Sequence, residues 1–134
     1  ATVSGVTGTI TLGNVTASGT GATIAATYTV TVVSTGYGNK YYIDGVQQAT
    51  VTLTEGNTYR FDQSDSSNSG HPLRFSTTSN GTHGGGSEYT TGVTTNGTPG
   101  SSGAYTQITV ASGAPTLYYY CTNHSGMGGQ ANTP

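Results

Sequence analysis

The sequence predicts an all-β domain, an antiparallel sandwich or Greek-key barrel, and three observations predict it. Glycine and threonine together supply 50 of the 134 residues, 22 Gly and 28 Thr. Both are poor helix formers, whereas β-branched residues suit strands and glycine suits tight turns. Apolar residues recur with a period of two, and no segment carries a period of 3.6. Turn residues break these runs at short intervals, leaving about seven short strands from Tyr28 onward.

The elements follow in order. Residues 1–27 are almost entirely small or β-branched, with weak alternation at Thr9–Leu12 and Ala22–Thr27. They read as an N-terminal arm or linker with one or two short strands. Tyr28–Val33 is a strand with Tyr28, Val30 and Val32 on one face, and Lys40–Ile43 is a second, closed by the hairpin pair Asp44-Gly45. Thr50–Thr54 and Thr58–Asp62 are expected to pair across Glu55–Asn57, with Val51, Leu53, Tyr59 and Phe61 inward. Pro72–Ser76 carries Leu73 and Phe75. Residues 77–104 are rich in turn formers and read as one long loop, a length usually functional or mobile. Tyr105–Val110 and Thr116–Cys121 are the last two strands. Arg60 and Arg74 are expected to pair with Asp62, Asp65 or Glu88 near the surface.

A chain of 134 residues can bury a core without staples and is one domain, here 28–134, plus the arm. Charged residues are 6% against a norm of about 25%. Three Lys+Arg cannot form the basic stripe that nucleic acid needs. No apolar run approaches the ~20 residues of a membrane helix. The single cysteine, Cys121, excludes an internal disulfide and a CxxC site. A chain starting at Ala1 is expected to be a processed protein or a piece of a longer one.

The chemistry is concentrated at the C-terminus. Leu117, Tyr119 and Cys121 share one face of the last strand, so if Leu117 faces the core, Cys121 does too. His124 follows three residues on and Met127 three more, which puts thiol, imidazole and thioether on one tight loop. Fifty residues upstream, His71 stands at another loop-to-strand junction in Asn68-Ser-Gly-His71-Pro72. Two imidazoles and a thiolate with a weak thioether form the donor set that selects copper in electron-transfer sites. Zinc tolerates Cys and His, but a structural zinc site wants four strong ligands and Met is a poor one.

On these residues the stretch 28–134 resembles the type 1 blue copper proteins, the cupredoxins. The spacing Cys121, His124, Met127 is similar to the short ligand loop of amicyanin, and Gly70-His71-Pro72 resembles the place where the family supplies its first histidine. The resemblance implies a Greek-key β-sandwich holding one copper per chain, with His71, Cys121 and His124 as equatorial ligands and Met127 as the axial one. It also implies that the His124 ring edge lies near the surface. The chain departs from the family in two places. Gly70 stands where an asparagine often braces the ligand loop, and Asn123 and Ser125, rather than a proline, flank His124. With Gly126, Gly128 and Gly129 close by, the ligand loop is expected to be less rigid than in dedicated electron carriers.

The resulting expectation is a mononuclear copper protein that moves single electrons to or from a redox partner protein, not an enzyme, working outside the cytoplasm: periplasmic, secreted, or surface- or virion-associated. The alternative is a structural or adhesive module of a larger surface or virion protein, with copper structural or absent. Copper scavenging or delivery is a third reading. His83, in a glycine-rich stretch, reads as a solvated loop histidine rather than a second metal contact. Tyr118–Tyr120 read as strand packing rather than an electron path. The N-x-[ST] matches at Asn14, Asn80, Asn96 and Asn123 are expected by chance in so Thr- and Ser-rich a chain.

Overall fold

The structure, a computed structural model, describes residues 23–134. Among these there is no α-helix. Eleven strands follow one another: β1 (Ile24–Thr35), β2 (Gly38–Ile43), β3 (Val46–Gln47), β4 (Val51–Thr52), β5 (Thr58–Asp62), β6 (Leu73–Ser76), β7 (Glu88–Tyr89), β8 (Val93–Asn96), β9 (Tyr105–Thr109), β10 (Leu117–Cys121) and β11 (Gly129–Asn132). Single 3-10 turns occupy Ser66–Asn68 and Gly81–Gly84. The strands form two separate sheets, ordered β3-β2-β1-β5-β9-β8 and β4-β11-β10-β6-β7, rather than a closed barrel. Both sheets are mixed: β1 runs parallel to β5 and β11 parallel to β4, while the remaining pairs are antiparallel.

The alternation read from sequence decides what lies between the sheets. Val30, Tyr41, Phe61 and Ile108 of the first sheet meet Leu73, Phe75, Leu117 and Tyr119 of the second, all at 2% exposure or less. Phe61 stands edge-on to Phe75 with ring centroids 5.4 Å apart, and Tyr41 and Tyr119 lie at 6.3 Å. Fully burying one such aromatic or aliphatic side chain contributes about 1.5–3 kcal/mol, so this layer dominates stability. At the Asp44-Gly45 turn both residues take positive φ, and Ile43 pairs with Val46 as the hairpin signal requires.

Several expectations are corrected. The first described strand begins at Ile24, so the part of the Ala22–Thr27 alternation from Ile24 onward is the start of β1; Ala22 and the Thr9–Leu12 strand lie outside the described residues. Val51–Thr52 and Thr58–Asp62 do not form a hairpin. They belong to opposite sheets, which lets Val51, Leu53, Tyr59 and Phe61 all point into one core from two sides. Residues 77–104 are not one loop, because they contain β7 and β8, short and mostly exposed edge strands with too little apolar content to show a period. The strand β11 beyond Met127 carries a single buried residue, Ala131, and gave no signal for the same reason. Arg74 does meet Glu88, at 3.6 Å on the surface. Among the described residues Arg60 pairs with no carboxylate; its guanidinium lies 3.9 Å over the Tyr105 ring and donates to Gln107 Oε1 at 3.0 and 2.8 Å.

Candidate metal centre

Strand register builds the site. β10 runs antiparallel to β6 with Cys121 opposite Leu73, and the ladder continues as Thr122 N–H donates to Pro72 O at 3.2 Å. The last residue of β10 therefore lies beside the chain just before β6, where His71 stands. Period-two alternation turns Cys121 inward with Leu117 and Tyr119, and its side chain is fully buried. The tight turn after Cys121 then folds His124 back over the sulfur. Cys121 Sγ lies 3.6 Å from His71 Nδ1 and 3.6 Å from His124 Nδ1. The two rings sit 4.6 Å apart, and the three donor atoms lie within 4.8 Å of one another. His71 is buried and His124 is exposed.

Three of the four expected ligands thus converge. Met127, the fourth, is buried in the hydrophobic core that also contains Cys121 and Tyr41, and its carbonyl accepts from Tyr41 N–H at 3.0 Å.

The donor set fits one soft or borderline cation. A thiol has a single hydrogen, so it can donate to one of the two Nδ1 atoms aimed at it and leaves the other without a strong partner. An ion that holds sulfur at about 2.3 Å and nitrogen at about 2.0–2.1 Å separates those atoms by about 3.6 Å at a tetrahedral angle and about 3.8 Å at 120°. The 3.6 Å contacts match that span. Burial, and then the neighbouring His124, hold the His71 imidazole below its ordinary pKa, which favours the neutral form a metal needs.

Beneath His71 lies a buried polar network that the sequence did not reveal. Gln63, 1% exposed, donates from Nε2 to His71 O at 2.7 Å and Asn68 Oδ1 at 3.0 Å, and its Oε1 accepts from Leu73 N–H at 3.0 Å. Tyr41 Oη donates to the same His71 carbonyl at 2.6 Å. Burial and the adjacent Cys121 sulfur push the Tyr41 phenol well above its usual range, so it remains a donor. Asn68 Nδ2 reaches Val30 O at 2.7 Å, tying the histidine turn to the first sheet. An isolated Gln at the end of a strand carries no sequence signal, and only burial identifies it.

The glycine-containing ligand loop is braced from outside by side-chain hydrogen bonds. Asn123 Nδ2 donates to Gly70 O at 3.0 Å, so the asparagine brace missing before His71 is supplied from the opposite loop. Gly126, at φ +80°, is held by three side chains. Its N–H donates to Asn80 Oδ1 at 2.8 Å, while its carbonyl accepts from Lys40 Nζ at 2.8 Å and Gln48 Nε2 at 3.3 Å. Gln48 also reaches Gly128 O at 2.9 Å, and Asn80 reaches Ser125 Oγ at 2.8 Å. Gln48 and Asn80 themselves adopt positive φ, which costs energy away from glycine and persists where surroundings over-determine it. This brace was not read from the sequence; an Asn-Gly pair such as Asn80-Gly81 is a turn signal that could have marked its position.

His83 is exposed and lies outside the His71, Cys121, His124 group, as expected of a loop histidine, but it also makes a hydrogen bond. Its Nε2 lies 2.8 Å from the Cys121 carbonyl oxygen, and its ring stands edge-on to Tyr120 at 6.2 Å. Tyr120 points away from the core, yet it is 1% exposed because the Gly81 turn covers it; a Cβ on Gly81 would sit 2.5 Å from the Tyr120 ring. Tyr119 packs in the core and donates to Ala49 O at 2.7 Å, as expected of strand packing.

No helix among the described residues is long and apolar enough to cross a membrane. Comparison with known proteins gave no match to a family model, to a curated protein or to a solved structure.

Proposed function

We propose that this chain binds one copper ion through His71, Cys121 and His124, with Met127 as a weak further ligand, and passes single electrons to a partner protein outside the cytoplasm. We read the two-sheet domain accordingly as a Greek-key sandwich of the type 1 copper proteins. The observation that carries the reading is one buried sulfur at 3.6 Å from two imidazole nitrogens, with one imidazole exposed. Zinc fits the same distances. Copper is favoured by the chemistry of the set, one thiolate and two imidazoles with the only methionine on the same loop.

Bound copper supplies a one-electron Cu(I)/Cu(II) couple. The protein's part is to hold donors still and to offer a way out. Gln63 and Tyr41 fix the His71 backbone, Lys40, Gln48 and Asn80 fix the loop between His124 and Met127, and little needs to move when charge changes. The exposed His124 ring is the port through which an electron reaches a docked partner.

One equivalent of Cu(II) is expected to give intense visible thiolate-to-copper absorption, abolished in Cys121→Ser. A colourless wild-type protein that takes up no copper in calorimetry overturns the proposal in favour of a structural or adhesive module.

A further inference from the structure

We propose that His83, outside the ligand set, is a positioning residue of the metal centre that acts through the Cys121 carbonyl; the inference rests on the copper reading above. A carbonyl oxygen only accepts, so the 2.8 Å contact requires the hydrogen on His83 Nε2. That nitrogen is therefore committed to Cys121 and is not free to bind a metal while the bond exists.

The bond sits where it has leverage. The Cys121 peptide is the hinge between a rigid strand and the ligand turn. On one side of it Cys121 is registered against Leu73; on the other, Thr122 N–H is fixed to Pro72 O. The Cys121 carbonyl lies in the same planar peptide as the Thr122 N–H and points the opposite way, so a bond to it holds that plane from its second edge, and with it the direction in which the chain leaves toward His124. His83 holds it from a turn that is itself pinned, because Gly81 lies against the Tyr120 ring and Gly86 N–H donates to Gly81 O at 3.0 Å. The imidazole is thus a strut from the Gly81–Gly84 turn to the thiolate residue. Partners of this kind typically change metal affinity by about 10–100-fold when removed.

Three variants separate the hydrogen bond from packing. His83→Phe keeps a ring against Tyr120 but has no donor, His83→Gln keeps a donor without the ring, and His83→Ala has neither. Copper affinity is measured by competition with a chelator, alongside the thiolate-to-copper absorption, and thermal unfolding of each metal-free variant checks the fold. His83→Phe and His83→Ala are expected to lose about 10–100-fold in affinity with a shifted absorption, and His83→Gln to recover most of both. If Phe binds like wild type while Ala does not, the residue only packs; if all three match wild type, it has no role. Either result overturns this proposal and leaves the copper reading standing. A wild-type protein that takes up no copper overturns both.

Discussion

Replacing Gln63 by alanine tests whether the buried network holds the His71 turn in place. Gln63 is 1% exposed and makes three side-chain hydrogen bonds, to His71 O, Asn68 Oδ1 and Leu73 N–H. The His71 carbonyl keeps its second donor, Tyr41 Oη, so its loss is partial. Asn68 Oδ1 and Leu73 N–H are the groups left buried without this partner, each at about 1–3 kcal/mol. With the space left by the amide, a total of about 3–5 kcal/mol is expected, a large share of the 5–15 kcal/mol that a domain commonly has. The assay is urea unfolding of the metal-free protein, with hydrogen exchange at Leu73. The midpoint should fall steeply and Leu73 should exchange far faster. Gln63→Glu should be no better, because a buried carboxylate would face the His71 and Asn68 oxygens instead of donating to them. A loss below about 1 kcal/mol with Leu73 still protected would show that the network does not support the turn.

Two further outcomes follow from the same geometry. Asn80→Gly keeps the left-handed backbone but removes both side-chain bonds to the loop, and should cost about 1–2 kcal/mol and speed exchange at Gly126, whereas Asn80→Asp retains the acceptor for Gly126 N–H and should stay protected there. Equal exchange in both variants refutes the clamp. Metal-free stability should depend on pH through His71. Its folded pKa is depressed, so below about 6.5 the unfolded chain binds a proton that the folded one resists, and stability falls with pH until the folded value is passed. The lowered Asp65 pKa acts only in the more acidic carboxylate range. His71→Gln should flatten the dependence between pH 7 and 5; an unchanged slope assigns it to other groups.

The part of the site that sequence made legible is the part built from scarce residues. Cys121 and Met127 are the only residues of their kinds, and His124 lies midway between them in the chain. Period-two alternation then turned Cys121 inward correctly, and the same alternation found Val51, Leu53, Tyr59 and Phe61 as core. Sheet assignment was not legible, because alternation records which face is buried and not which neighbour supplies the ladder. Hence Val51–Thr52 looked like the hairpin partner of Thr58–Asp62 although they lie in different sheets. The edge strands β7 and β8 were invisible because a strand with one half-buried residue has no pattern to show. The loop's bracing was not legible because glycine content describes what a backbone could do alone, whereas Lys40, Gln48 and Asn80 reach Gly126 from at least 46 residues away in sequence.

The supporting tier has a chemical consistency of its own. Five carboxamides, Gln48, Gln63, Asn68, Asn80 and Asn123, make most of the bonds that fix the two ligand turns. A carboxamide donates and accepts at once, so Gln63 can satisfy a carbonyl and an N–H of neighbouring residues with one side chain. It does so without a net charge, which in a buried position would carry a large desolvation cost and would bias the protonation of the sulfur and imidazoles beside it. The one cationic brace, Lys40, reaches Gly126 O at the loop's partly buried rim rather than beneath His71. A chain with 6% charged residues therefore orders a polar site by the same means that keep its core neutral. What an ion would meet there is a fixed set of dipoles and three donors, with the protein's few charges kept outside the buried network.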